Sequence, residues 1–163
     1  MLDTGSLSER YRELQKVVHP DRFASASEQE QRVALQQSIM VNEAFEVLRD
    51  PLKRAIYMLE LKGVKMNQDT ATTSDGVFLM QQMELREALA EVPQQSDPLA
   101  KLDELMTEIS VLIKTQIAQL AIQLEESTPD QLNAASESVS KMQFLNKLHS
   151  EAEMVEADLE EMA

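Results

Sequence analysis

Five prolines set the limits within which this chain can fold, because each interrupts an otherwise helical pattern. Inside a helix, proline removes a hydrogen bond and clashes with the preceding turn, so helices end before it or begin on it. Pro20 ends one: it drives His19 out of the α region, and the helix before it stops at Val18. Asp50-Pro51, Asp97-Pro98 and Thr128-Pro129 do the opposite, each pairing a capping side chain with a proline at the first helical position. Pro93 closes a helix that opens near Asp75. Behind Pro20, Ser25-Ala26-Ser27-Glu28 and Ser27-Glu28-Gln29-Glu30 are overlapping capping boxes, so the next helix starts at about Ser25 or Ser27. The expectation is an all-α protein. A helical hairpin carries a rigid loop at its tip, a short helix then stops at Lys62-Gly63, and three further helices follow.

Apolar spacing says which faces are inward. Leu7, Tyr11, Leu14 and Val18 make one stripe on the first helix. Val41, Ala44, Phe45 and Leu48 do so on the second, with Val33 and Ala34 contributing earlier. Residues 64–74 have no period and read as a linker between a unit at 1–63 and another at 75–163. In the latter, Leu102, Met106, Ile109, Ile113, Leu120 and Leu124 form a stripe on the middle helix. Leu132, Ala135, Val139, Met142, Leu145, Leu148, Ala152, Val155, Leu159 and Met162 form one on the last. Spacing that drifts in this heptad-like way predicts an antiparallel, mildly supercoiled three-helix bundle.

Composition narrows the chemistry. There is no cysteine, so disulfides, cluster ligation and thiolate zinc are excluded for this chain by itself. The two histidines, His19 and His149, are far apart, and neither a metal nor a cofactor is expected. No apolar run approaches the roughly 20 residues of a membrane span, and the start has neither a basic nor an apolar export segment. The expectation is a cytoplasmic protein that does not engage membranes. A net charge of −14 argues against nucleic acid. That charge is uneven: residues 1–64 hold nine Lys/Arg against ten Asp/Glu, residues 65–163 six against nineteen. Two regions of such different electrostatics suggest two partners.

Two surfaces stand out. At the hairpin tip, His19, Pro20 and Asp21 present an imidazole, a ring and a carboxylate; Arg12 and Lys16 lie four apart on one face, with Arg10 elsewhere and Arg22 just beyond. Taken alone, these cations read as an ordinary solvated face; with the adjoining tripeptide, a docking surface for an acidic partner becomes the better reading. On the helix at 75–92, Phe78, Leu85, Leu89 and Val92 share a narrow sector that reads as core. Leu79, Met80 and Met83 fall roughly opposite, among Glu84, Glu87 and Glu91, and Phe144 lies on the flank of the last helix's stripe. An apolar patch rimmed by carboxylates suits an adaptable binding surface, although packing against the hairpin explains it too.

The tripeptide His19-Pro20-Asp21 resembles the J-domain signature. The series Val41-Asn42-Glu43-Ala44, Leu48, Pro51 and Arg54-Ala55-Ile56-Tyr57-Met58-Leu59, with Phe78-Leu79-Met80-Gln81-Gln82-Met83-Glu84-Leu85-Arg86-Glu87, is similar to HscB-type J-proteins, co-chaperones of iron–sulfur cluster assembly. The resemblance runs from Leu7 onward. It implies that His19, Pro20, Asp21, Arg10, Arg12, Lys16 and Arg22 contact a DnaK-class chaperone (HscA type) and stimulate its ATPase. It also implies that Leu79, Met80, Met83, Glu84, Glu87, Glu91 and Phe144 hold an iron–sulfur scaffold protein (IscU type). An enzyme using His19 and Asp21 as an acid–base pair lacks a nucleophile, an oxyanion site and a phosphate loop. A general J-protein for unfolded clients usually carries the Gly-rich or Cys-rich region absent here. HscB-type chains usually begin with a further short aromatic helix, so the J-like unit reads as truncated at its N-terminus. Tyr11, Leu14, Phe45 and Leu48 are then expected to expose apolar surface, giving a monomer able to dimerise.

Overall fold

The computed structural model describes residues 2–66 and 73–161, and every regular element among them is helical. In order these are α1 (Thr4–Val18), a 3₁₀ turn (Pro20–Phe23), α2 (Glu28–Arg49), α3 (Pro51–Leu61), α4 (Gly76–Glu91), a 3₁₀ turn (Val92–Gln94), α5 (Pro98–Glu126) and α6 (Pro129–Glu161). The all-α expectation holds. Part of the expected linker, residues 67–72, and Met162 of the last stripe lie outside the described residues.

The local signals act where expected. Ser27 caps α2 reciprocally with Glu30, whose carboxylate accepts the Ser27 N–H at 2.9 Å, so of the two overlapping boxes only the second is used. Asp50 accepts the N–H groups of Leu52 and Lys53 at 2.8 and 2.9 Å, Asp97 that of Ala100, and Thr128 that of Gln131. At the end of α3, Gly63 takes φ +81°; its N–H reaches the Glu60 carbonyl while Val64 N–H reaches that of Leu59. This double closure, with glycine in the left-handed position, satisfies carbonyls the helix leaves open.

The chain divides into two compact units, Met1–Tyr57 and Met58–Ala163, so α3 begins in the first and ends in the second. In the first, α1 packs on α2 through Tyr11 and Phe45, whose rings stack 4.1 Å apart. Tyr11 donates its hydroxyl to Asn42 Oδ1, which also accepts from Gln15. Here the expected stripes need correcting. Leu14, Val33 and Ala44 are exposed, whereas Gln15 is half-buried and Ser38 buried. A polar contact to Asn42 turns the Gln15 side of α1 inward and leaves Leu14 at the edge. Phe45, Leu48 and Tyr11 are half-buried.

In the second unit α5 and α6 form a long hairpin reversed at Ser127, the one described non-glycine residue with positive φ (53°). α4 runs parallel to α6: Asp75 meets Lys141, Phe78 meets Phe144 and Arg86 meets Glu151. Leu85, Leu89 and Val92 of α4 join Leu102, Leu105 and Ile109 of α5 and Leu148 and Ala152 of α6 in one core cluster. Up, down, up is the order expected of a bundle with short connections. Gln116, Ser138 and Ser140 are also buried, and hydropathy alone did not mark them. By length and composition α5 is apolar enough to cross a membrane, contrary to the sequence reading, but its inward stripe is spent on α4 and α6.

Candidate functional sites

Proline chemistry builds the hairpin tip. His19 is extended (φ −59°, ψ 126°), as a residue before proline must be, and the rigid loop expected here takes the form of a 3₁₀ turn opened by Pro20. His19 Nδ1 accepts the Asp21 N–H at 3.3 Å and lies 3.6 Å from the Asp21 carboxylate. The turn is tied at both ends. Arg22 N–H donates to the His19 carbonyl, and Gln31 on α2 donates its amide to the carbonyls of Ala24 and Ala26. The Asp21 side chain nonetheless stays 90% exposed.

The expected cations divide by role. Arg22 donates to the Lys16 carbonyl at 2.7 Å, covering an open carbonyl at the end of α1. Arg10 pairs with Glu13 at 3.1 Å, and Arg12 donates to the Ser8 carbonyl. Lys16 shares the Arg12 face, and both are exposed. The structure thus gathers Arg12 and Lys16 and leaves Arg10 apart.

On α4 the Asp75 carboxylate caps the helix by accepting from Val77 and Phe78, and a salt bridge to Lys141 holds its pKa below the ordinary aspartate range. Lys141 Nζ also lies 5.5 Å from the Phe78 ring centre. Beyond this anchored start, Phe78, Leu85 and Leu89 face the core and Met80 and Met83 face solvent, 65% and 66% exposed. Glu84, Glu87 and Glu91 are exposed beside them. Among the described residues the bundle's ion pairs are Arg86–Glu151, Lys101–Glu104 and Lys141–Asp75, and His149 lies 3.5 Å from Glu153. None among the described residues neutralises those three glutamates. Leu79 departs from expectation: at about 100° per residue it falls some 110° from the core centre, on the flank, and is half-buried. Phe144 is also half-buried, its ring 6.2 Å from Phe78. Val77, exposed beside Met80, belongs to the same apolar surface; the helical wheel offered it, but the sequence reading passed over it.

A His-Pro-Asp turn on a helical hairpin, followed by a bundle with an unneutralised acidic face, defines a J-domain protein with a dedicated second unit. Comparison with known families agrees. Residues 3–57 match the DnaJ domain and residues 74–153 the HSCB C-terminal oligomerisation domain. A co-chaperone protein HscB homolog of Shewanella frigidimarina is 42% identical over 97% of this chain and 91% of the relative; that of Shewanella amazonensis is 44% identical over 95% and 89%. Chaperone HscB from Vibrio cholerae superposes with a TM-score of 0.87 at 43% identity, covering 98% of this chain and 92% of the other. The human co-chaperone protein HscB does so at 0.84 and 28%, covering 96% and 76%. The chain belongs to the HscB family of J-domain co-chaperones, which serve iron–sulfur cluster assembly.

Proposed function

We propose that the protein is a two-sided cytoplasmic adaptor. Its hairpin tip docks on a DnaK-class chaperone of the HscA type and stimulates ATP hydrolysis, and its bundle holds an iron–sulfur scaffold of the IscU type. A J-domain at 1–63, a connecting stretch at 64–74 and a scaffold-binding unit at 75–163 carry the two tasks. The observation that supports the reading best is the solvent face of α4, with Met80 and Met83 open among Glu84, Glu87 and Glu91, none of which has an ion pair among the described residues. The methionines gain by leaving water, at roughly 25 cal/mol per Å² before association costs, and the carboxylates set orientation against a basic patch. Leu79 and Phe144 border this surface. At the tip, Asp21 with His19 and Pro20 biases the chaperone's conformation, and Arg12 and Lys16 steer it. Holding scaffold and chaperone on one body raises their effective concentration.

The test measures both activities on the same variants. Asp21→Asn abolishes stimulation of the chaperone ATPase and leaves scaffold affinity unchanged; a Met80→Ala/Met83→Ala pair does the reverse. Surviving stimulation in Asp21→Asn rules out the tip assignment, and unchanged scaffold affinity in the methionine pair rules out the α4 face.

A further inference from the structure

We propose that the open groove between α5 and α6 is a second docking surface on the bundle, and that its occupant is an amphipathic protein segment carrying a carboxylate. The groove has a volume of about 500 Å³ and is lined by Ser110, Ile113, Lys114 and Ile117 of α5 and by Asn146, His149 and Ser150 of α6. No α4 residue contributes to it. A three-helix bundle covers one side of its longest helix pair with the third helix, and here that side is taken by Leu85, Leu89 and Val92. Ile113, which also packs on that core cluster, and Ile117 are half-buried and line the groove. They lie one helical turn apart, so the apolar floor runs along the helix axis and matches the spacing of an apolar stripe on a helix laid into it.

Charge selects the occupant. Residues 73–161 hold eighteen Asp/Glu and only five Lys/Arg. Of those five, Arg86, Lys101 and Lys141 are committed to ion pairs within the bundle; Lys114 and Lys147 have none among the described residues, and of these two only Lys114 lines the groove. No carboxylate is among the residues lining the groove, and the Glu153 carboxylate lies 3.5 Å from the His149 imidazole. An uncommitted ammonium beside an apolar floor, in a unit otherwise so acidic, favours a segment that brings its own carboxylate. A basic segment meets Lys114 with like charge. Ser110, Asn146 and Ser150 add hydrogen-bonding groups along the rim. The bundle then carries two surfaces of opposite preference: α4 suits a basic partner, and the α5–α6 groove an acidic one. This assignment does not depend on what α4 binds.

The experiment titrates the full ¹⁵N-labelled chain with three amidated peptides of about 15 residues, long enough for partial helicity. They share a leucine stripe and differ only in bearing Glu, Gln or Lys at the flanking positions. The Glu peptide gives saturable shifts over residues 110–117 and 146–150, and it binds more tightly than the Gln and Lys forms. Lys114→Gln weakens it roughly fivefold, the scale of one partly exposed ion pair. Lys114→Glu inverts the preference toward the Lys peptide, which a purely structural role for Lys114 does not produce. Met80→Ala/Met83→Ala leaves the titration unchanged, which separates this groove from the α4 face. The proposal is overturned if the Glu peptide fails to saturate, if all three peptides bind equally, or if the shifts fall on α4.

Discussion

Lys141 Nζ lies 2.6 Å from Asp75 Oδ2, so a residue midway along α6 fixes the first turn of α4. Next to it Glu137 accepts the hydroxyl of Thr73 and, at 3.0 Å, the N–H of Ser74. The acidic, methionine-bearing face of α4 therefore starts from an anchored point. Asp75 does two things at once: it caps the helix and it forms the ion pair.

Asp75→Asn separates those roles, because asparagine caps as well as aspartate but carries no charge. The Lys141 ion pair, with the helix N–H groups behind it, lowers the Asp75 pKa in the folded state. A depressed carboxylate contributes stability that is complete above its unfolded value, near 3.8, and disappears as the pH falls through the lower folded value. Wild type should accordingly be more stable than Asp75→Asn at neutral pH, with the gap closing only below the ordinary aspartate range. Urea midpoints at a series of pH values check this; a gap independent of pH would show that the charge contributes nothing.

The stacked rings of Tyr11 and Phe45 join α1 to α2, with Asn42 beside them accepting the phenolic hydrogen bond. Aromatic pairs of this kind are worth about 0.5–1.5 kcal/mol beyond area burial. A double-mutant cycle with Tyr11→Leu and Phe45→Leu should give a coupling of about 1 kcal/mol. Tyr11→Phe, which keeps the ring and drops the hydroxyl, should cost less than Tyr11→Leu, since Gln15 still donates to Asn42. Coupling near zero would mean that the rings are neighbours without mutual stabilisation.

These contacts mark where the sequence was legible and where it was not. Helix starts were readable because each is a local event: Ser27 with Glu30, Asp50 before Pro51, Asp97 before Pro98 and Thr128 before Pro129 need only their own neighbours. The bundle core was readable because α6 is covered along its length, so Val139, Met142, Leu145 and Leu148 had to be inside. Inward faces on the hairpin were harder to assign. Periodicity marks an apolar sector but not how widely a neighbour covers it, so Leu14 and Val33 read as core while Gln15 and Ser38 did not. Leu79 was misplaced for a related reason: it lies some 110° from the core centre, and periodicity does not say that a neighbour half-covers that flank. The open face of α4 was legible because Met80 and Met83 exceed what one buried stripe requires.

Two glycines give opposite predictions. Gly63 sits at φ +81°, closing α3 in a conformation that a Cβ disfavours even though the surrounding space is empty. Gly63→Ala should cost about 1–2 kcal/mol. Gly76 opens α4 with nothing within 4 Å of a built Cβ and without positive φ. Gly76→Ala should instead stabilise by about 0.4–1 kcal/mol, mainly by restricting the unfolded chain. Denaturant midpoints at constant m-value measure both; a shift of the same sign in the two variants would refute the backbone argument.

The clearest separation of fold from function compares two apolar residues of the bundle. Leu145 is 1% exposed and belongs to the α6 stripe that meets α5. Truncation there loses transfer energy and leaves a cavity that close-packed helices fill poorly, so Leu145→Ala should cost about 2–5 kcal/mol. Met83 is as apolar but 66% exposed, and removing its side chain opens no cavity. Met83→Ala should stay within about 0.5 kcal/mol of wild type. If the α4 face binds the scaffold, the consequences reverse in a titration. Met83→Ala weakens binding while its melting curve is unchanged, and Leu145→Ala, at temperatures where it is folded, binds normally. A Met83→Ala protein that loses stability in step with affinity would place Met83 in the architecture of the bundle and leave the α4 face without its assigned role.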